Sequence, residues 1–307
     1  MAEQERNLSV IHAWNAAFNR QDRAAMRALW ADGARERGAH ADEIAEEVFT
    51  LFPDAALASK EIVAVGDSVI DRTIFSGAHR GVGRLPIVAG QMVGAAGAGK
   101  SCAVQHIHWW TLKDGRIVDH HAQRDDIAML MQLGLAPYVP MVAEQAYVNE
   151  PPIPHRHVSG GAEQERNIAA IRANMLKLAE GDLEGFVAGY SDTAINHGRA
   201  GGRERMRFVG AALIGTYTRL APGDGLAETA AVDDCVIART ERNLKHTGTP
   251  KAPIDGGLLM ERPPTNKTFI QRHIHWWTLK DGLIVSHRAC RDDVGMMVQL
   301  GLMAGPA

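Results

Sequence analysis

The stretch that decides the fold is HIHWWTLKDGRIVDH, residues 106–120. Apolar and polar residues alternate on both sides of Asp114-Gly115, a pair that favours a tight turn between antiparallel strands. The sequence therefore predicts a β-hairpin whose two arms carry three histidines and a tryptophan pair.

Two turns fit the bend of this hairpin. Asp114-Gly115 can form a two-residue type I′ turn, or Lys113 and Asp114 can form a type I turn followed by Gly115 in a G1 bulge. Because side chains alternate between faces, the choice decides which residues lie together. We favour the bulge register, which puts six residues on one face: His106, His108, Trp110, His120, Ala122 and Arg124. The two-residue register would instead place the first two histidines beside His121 and Gln123.

The hairpin occurs twice in the chain. Residues 106–135 return as residues 273–302 with 22 of 30 positions identical, and Ala-Glu-Gln-Glu-Arg-Asn at 2–7 returns at 162–167. Chance does not produce such matches, so the sequence indicates a tandem duplication. The six residues of the favoured face all recur: His273, His275, Trp277, His287, Ala289 and Arg291.

The repeat also predicts the domain organisation. A chain of 307 residues suits two domains, which we place at 1–143 and 162–307. Residues 144–161 contain Pro and Gly and favour an extended connector. About seven extra residues are expected in the second copy around 199–225. We expect an internal pseudo-dimer, and further homo-oligomerisation is left open.

Each copy begins with helices and continues with strands. Leu8, Ile11, Trp14 and Phe18 follow helical spacing, and a second helix is expected over 42–51, before Pro53. From Ile62 onward short runs rich in Val, Ile and Trp are interrupted by Gly, Pro and Asp, as in antiparallel strands. Helices followed by strands predict an α+β class, with a curved antiparallel sheet wrapped around N-terminal helices.

Composition excludes several classes of partner. The net charge of −3, the pI of about 6.5 and the absence of Lys/Arg runs argue against nucleic acid and anionic membranes. The N-terminus lacks the apolar core of a signal peptide, so a cytoplasmic location is expected. The three cysteines lack metal-binding or disulfide spacing, and we expect them reduced.

One known family shares the motifs of the hairpin. The run from Trp110 to His120, then Arg124-Asp-Asp126 and Gln132-Leu-Gly134, resembles the C-terminal signature of SnoaL-like polyketide cyclases of the NTF2-like superfamily. The resemblance covers about a third of each copy. It implies a cone-shaped fold with a deep pocket, and cofactor-free chemistry on a hydrophobic substrate.

The resemblance also implies roles for single residues. His108 and His275 fall where family cyclases carry a pocket histidine or aspartate, whereas the usual catalytic aspartate falls on Ala122 and Ala289. The candidate catalytic residues are His108, His275, His106, His273, His120, His287, Arg124 and Arg291. The candidate substrate-binding residues are Trp110, Trp277, Asp125, Asp292, Arg72, Arg239, His79 and His246.

Structural alternatives exist for several of these residues. Arg124 and Arg291 can pair with the aspartates two positions later, and Asp125 and Asp292 can cap the helix that follows. Three histidines on one strand pair can also hold a metal, but no carboxylate is clearly placed to complete a site, so none is predicted.

These observations lead to a functional hypothesis. We expect a cofactor-independent lyase that uses histidine acid/base chemistry to cleave a C–C or C–O bond, in retro-aldol or deformylation fashion. The expected substrate is a hydrophobic aromatic compound such as a lignin-derived diaryl dimer, within aromatic compound catabolism. A polyketide ester cyclase and a non-catalytic binding protein are the alternatives.

Overall fold

A computed structural model describes residues 2–34, 41–144, 146–153, 156–157 and 161–305. The chain divides into two compact units: Met1–Val158 with Ala304–Ala307, and Ser159–Met303. Over the described residues, no helix has both the length and the apolar character that crossing a membrane would require. Each unit combines helices with a mainly antiparallel sheet, so the α+β class is confirmed.

The first unit begins with helices and continues with a sheet. Its helices are α1 (Ala2–Asn19), α2 (Arg23–Ala28), α3 (Ala41–Leu51), α4 (Asp126–Leu133) and α5 (Pro140–Ala143). Its strands are β1 (Ala56–Val65), β2 (Ser68–Ala78), β3 (Ser101–Lys113), β4 (Arg116–Arg124) and β5 (Arg156–His157). The sheet order is β4-β3-β2-β1-β5, and the pairing of β1 with β5 is parallel.

The helix predictions for the first unit are close to the observed bounds. Leu8, Ile11, Trp14 and Phe18 are all buried along α1, as the helical spacing predicted. The Asp22 carboxylate accepts a hydrogen bond from the Ala25 amide. Asp22 is thus the N-cap of α2, and α2 begins as a helix separate from α1. Residues 156–157, inside the predicted connector, form the edge strand β5 of this unit.

The second unit follows the same order with additions. Its helices are α6 (Ala162–Glu180), α7 (Leu183–Ala188), α8 (Gly202–Thr216) and α9 (Asp293–Gln299). Its strands are β6 (Tyr190–Asn196), β7 (Tyr217–Arg219), β8 (Leu226–Val232), β9 (Cys235–His246), β10 (Thr268–Lys280) and β11 (Leu283–Arg291). The sheet runs β6-β11-β10-β9-β7, and β8 also pairs with β9. The expected insertion region thus contains α8, which is longer than α3, and β7.

The hairpin between β3 and β4 combines features of both predicted turns. Asp114 and Gly115 have φ of 52° and 74°, and Lys113 pairs directly with Arg116, so the bend is a two-residue type I′ turn. The predicted G1 bulge at Gly115 is therefore wrong. A β-bulge lies further along, where Thr111 pairs with Asp119 although Leu112 pairs with Ile117.

This displaced bulge restores the predicted face. One extra residue in β4 shifts the register, so that His106 pairs with Arg124, and Trp110 with His120. The hairpin of β10 and β11 has the same turn and the same shift between Thr278 and Leu279. The six residues expected on one face therefore do share it in both units, although the cause is a bulge away from the turn.

Candidate active sites

In the first unit, a histidine pair lies at the centre of the inward face of the hairpin. His108 Nδ1 and His120 Nε2 are 3.0 Å apart, within hydrogen-bond distance, and both side chains are buried. The Trp110 ring stacks on the His120 ring with centroids 3.7 Å apart. The hairpin thus holds the two imidazoles in fixed orientation against an aromatic wall.

A buried carboxylate that the sequence analysis missed lies beside this pair. Asp71 on β2 pairs directly with His108 on β3, and opposite residues of antiparallel strands project to the same face. Its side chain is fully buried and accepts hydrogen bonds from Asn15 Nδ2 at 2.7 Å and Ser59 Oγ at 2.6 Å. Burial raises the pKa of Asp71 to about 6, against the opposing effect of these two donors.

The third histidine of the first unit lies further along β3. The His106 ring stacks on Phe75 with centroids 5.1 Å apart and an interplanar angle of 4°. Burial, and then the charge of Arg124, lower the pKa of His106 well below its ordinary value. His106 is therefore neutral near pH 7 and acts here as part of an aromatic wall.

Aromatic rings enclose the face around the histidine pair. The ring centroid of Trp14 in α1 lies 4.7 Å from that of Trp110, and the ring centroid of Trp30 lies 6.1 Å from the same ring in an edge-on contact. The three indole N–H groups are buried and have no hydrogen-bond partner among the described residues. An indole N–H is only a donor, so these groups offer hydrogen bonds to an acceptor oxygen.

The equivalent face of the second unit has different partners. His275 Nδ1 and His287 Nε2 are 2.9 Å apart, as in the first unit, but His287 Nδ1 also lies 2.8 Å from Asn196 Oδ1. On the other side His275 Nε2 lies 3.4 Å from Arg242. Asn196, His287, His275 and Arg242 therefore form one continuous chain of polar contacts.

Simple donor and acceptor logic fixes the protons of this chain. The amide oxygen of Asn196 can only accept, so His287 donates from Nδ1 and presents a bare Nε2. His275 then donates from Nδ1, and its bare Nε2 accepts from the Arg242 guanidinium. Burial lowers the pKa of His275 well below its usual range and that of His287 to about 3, which keeps both rings neutral.

Further polar groups surround His273 in the second unit. Carboxylate oxygens of Asp255 and Asp293 and a ring nitrogen of His273 lie within 4.8 Å of one another, a distance that a metal could bridge. Both carboxylates already have donors, because Tyr217 donates to Asp255 and Arg291 to Asp293. Burial, followed by repulsion from Asp293, raises the pKa of Asp255.

The two predicted site arginines form ion pairs. Arg124 donates two hydrogen bonds to Asp126 at 3.1 and 3.0 Å, and Arg291 binds Asp293 in the same way. The alternative that both arginines pair with the aspartates two positions later is thus confirmed. Each still lies on the histidine face, opposite His106 and His273 respectively.

Several predicted substrate-binding residues lie away from the histidines. Arg72 and Arg239 pair in register with Ile107 and Ile274, so they project to the opposite face. Arg72 lies there near Glu61, at 3.5 Å, and Arg239 binds Glu228 at 2.8 Å. These two arginines do not join the candidate sites.

The remaining predicted residues have local structural contacts. The Asp292 carboxylate caps α9 by accepting from the Gly295 amide, and Asp125 occupies the matching N-cap position of α4. His246 accepts a hydrogen bond from the Thr265 amide, and His79 lies beyond the end of β2 against Phe52. Trp110 and Trp277 stack on histidines and line the candidate faces, as the alternation predicted.

Comparisons with known proteins show which family the first unit is similar to. Residues 9–133 match the family model for SnoaL-like polyketide cyclases, and this range contains Asp71, His108 and His120. Over these residues the first unit is therefore similar to the SnoaL-like polyketide cyclases. No curated protein gives a significant match to the chain.

Among solved structures, two similar proteins each match less than half of this chain. AclR from Streptomyces galilaeus is 23% identical, with a TM-score of 0.39, over 47% of this chain and 94% of its own. IdmH from Streptomyces antibioticus is 26% identical, with a TM-score of 0.35, over 42% of this chain and 98% of its own.

Proposed function

We propose that the first unit is a cofactor-independent enzyme that moves protons between Asp71, His108 and a carbonyl substrate. The observation that carries the proposal is the register pair of Asp71 and His108, a carboxyl with a pKa of about 6 opposite a buried imidazole. A general base or acid is most effective when its pKa lies near the working pH. The match of residues 9–133 to SnoaL-like polyketide cyclases supports the same chemistry.

The proposed reaction is an aldol-type step. The Asp71 carboxylate takes a proton from the carbon beside a carbonyl, and the resulting enolate carbon attacks a second carbonyl to form the new C–C bond. The proton that Asp71 has taken passes through the histidine pair to the alkoxide that forms, which restores Asp71 and both histidines. Trp14 and Trp110 have buried N–H groups that find no hydrogen-bond partner in the described part of the chain, and these suit an oxygen that gains negative charge.

Ring closure is the direction that Asp71 favours. The aspartate that the resemblance implies is replaced by Ala122, which on sequence grounds favours a lyase over a cyclase. Asp71 projects to the same face and supplies a carboxylate from another strand, so aldol cyclisation of a polyketide ester does not lack a base. The aromatic wall of Trp14, Trp30 and Trp110 suits a planar, hydrophobic substrate.

The reverse reaction is the second candidate. Retro-aldol cleavage uses the same proton transfers in the opposite order: a hydroxyl loses its proton, the C–C bond breaks and a small aldehyde leaves. A hydroxymethyl-bearing diaryl dimer derived from lignin would lose formaldehyde in this way. The same wall of rings would hold its two aryl groups.

One experiment tests the enzyme and separates its directions. The full chain, without added cofactor, is incubated with polyketide methyl esters and with hydroxymethyl diaryl dimers, and ring closure and formaldehyde are followed by chromatography. We expect turnover of one class, reduced by about 10²-fold or more in Asp71→Asn. Asp32→Asn, at an exposed position, is the matched control. Ligand binding with no turnover of either class would instead indicate a non-catalytic binding protein.

A further inference from the structure

Arg242 of the second unit is a buried cation without a carboxylate at ion-pair distance among the described residues. The residue is only 9% exposed, and the carboxylates of Asp255 and Asp224 offset its charge only from longer distances, so burial still lowers the pKa of Arg242 to about 10. Its Nε has no hydrogen-bond partner, and its remaining contacts are long, at 3.5 Å to Gln271 and 3.4 Å to His275. A buried charge in such surroundings is unfavourable unless something compensates it.

A second guanidinium lies beside the first. A Cβ placed on Gly225 would lie 2.9 Å from Arg219 Nη2 and 3.3 Å from Arg242 Nε, so both cations border this glycine. Arg219 is half-buried and donates through Nε to the Ala221 carbonyl. The neighbouring carboxylate of Asp224 binds Arg172 at 2.7 Å and also offsets part of the charge of Arg219. Two like charges are thus held together, an arrangement that favours a bound anion.

The histidine chain adds to this arrangement. Because Asn196 orients His287 and His275, the latter presents a bare nitrogen to Arg242 and keeps no proton there. This contact holds the guanidinium without neutralising its charge. The Trp277 ring stacks on His275, the residue that contacts Arg242, with ring centroids 4.9 Å apart.

The first unit lacks this arrangement at the equivalent positions. Phe75 occupies the register position of Arg242, since Phe75 pairs with Val104 where Arg242 pairs with Gln271. Conversely, the second unit has Ala238 at the register position that Asp71 occupies in the first unit. The two units therefore carry opposite charges at different positions of the same face.

We propose that the second unit binds a hydrophobic carboxylate, whose oxygens are received by the guanidinium groups of Arg219 and Arg242. The forked N–H groups of arginine match the two oxygens of a carboxylate, and the Trp277 ring, which stacks on His275, suits an apolar body. The second unit thus has a different task from the first: it recognises an anion, and it lacks the Asp71 carboxyl. An inorganic or organic phosphate presents similar oxygens, so the test includes it.

Binding measurements on the full chain test the proposal. Biphenyl-4-carboxylate and its neutral methyl ester are titrated calorimetrically into wild type and into Arg242→Gln and Arg219→Gln. Arg272→Gln is the control, because Arg272 carries the same charge at an exposed surface pair with Glu241. We expect wild type and the control to bind the acid at least about tenfold more tightly than the ester, as hydrogen bonds to a charged group imply.

Both site variants should lose this preference for the acid. Arg219 is only half-buried, so we expect Arg219→Gln to fold. This variant therefore still tests the proposal if Arg242→Gln does not fold. The proposal is overturned if wild type binds acid and ester equally, or if a folded site variant keeps the preference. It is equally overturned if inorganic phosphate displaces the acid at a lower concentration than the acid itself requires. No turnover is measured, so failure here is distinct from failure of the proposed function.

Discussion

Asp71 lies directly opposite His108 in the register of β2 and β3, and both side chains are buried on the same face of the sheet. The carboxyl receives two hydrogen bonds, from Asn15 and Ser59, yet burial still raises its pKa to about 6. A group held in this state at a stability cost is typical of a site under functional demand.

The pH dependence of turnover follows from the ionisation of Asp71. If Asp71 acts as a base, it must be ionised, so kcat/KM should rise with pH through an apparent pKa of about 6 and then level off. The measurement is a kcat/KM profile between pH 4.5 and 8 with whichever substrate the panel identifies. A profile that is flat through this range would argue against Asp71 as the base.

The stability of the protein should depend on the same group. Because the folded pKa of Asp71, about 6, exceeds the ordinary value of 3.8, the folded state binds the proton more tightly. The favourable contribution is fully present below about pH 4 and is lost as pH rises through about 6. Between pH 4 and pH 7, wild type should therefore lose about 2 kcal/mol relative to Asp71→Asn.

Urea unfolding of the two proteins at both pH values measures this difference. Asp32→Asn should follow wild type, because Asp32 is exposed. If the difference in free energy of unfolding between wild type and Asp71→Asn is the same at both pH values, the pKa of the Asp71 carboxyl is not raised in the folded protein.

The histidine chain of the second unit makes a spectroscopic prediction. Near pH 7, His275 and His287 should both be neutral and protonated on Nδ1, because Asn196 Oδ1 accepts from His287 and burial lowers both pKa values. Long-range ¹H–¹⁵N correlation spectra distinguish the tautomers directly. In Asn196→Leu the Nδ1-H form of His287 should no longer dominate, whereas an Nε2-H form in wild type would contradict the proposed chain.

The two arginine–aspartate pairs should differ in their contribution to stability. Asp293 is 2% exposed at its side chain and Asp126 is 14% exposed, so the loss of Arg291 leaves the more deeply buried charge. We expect Arg291→Gln to lower the free energy of unfolding by about 3 kcal/mol or more, and Arg124→Gln by about 1 kcal/mol. If chemical denaturation shows that both variants lose the same free energy of unfolding, the burial of the aspartate does not decide how much each ion pair contributes.

Chelation tests the three side chains around His273. Asp255 and Asp293 already accept hydrogen bonds from Tyr217 and Arg291, so we expect EDTA to leave turnover and thermal unfolding unchanged. Loss of either property, with recovery on adding Zn²⁺, would assign a metal to this group.

The sequence predicted the repeated hairpin and its inward face because strand alternation is a local property. The turn was predicted wrongly, since the same face arises from either a G1 bulge or a type I′ turn with a later bulge. Register shifts of this kind depend on packing along the whole strand pair, which local patterning does not report.

The charged residues of the two sites were missed for a related reason. Asp71 lies within an apolar strand, and an acidic residue at such a position is a signal that could have drawn attention to it. Arg242 becomes notable only when its neighbours are known, because sequence does not tell whether a cation has a carboxylate nearby. The roles of Asp71 and Arg242 both depend on contacts with other strands and loops, which the sequence does not show.

The most direct test of the account compares one variant from each unit in the same turnover assay. His108→Gln and His275→Gln remove equivalent histidines, but only His108 lies opposite a carboxyl, since Ala238 faces His275. We predict that His108→Gln lowers kcat by about 10²-fold or more, whereas His275→Gln retains most of the activity. Equal losses, or a larger loss in His275→Gln, would contradict the assignment of acid/base catalysis to the first unit.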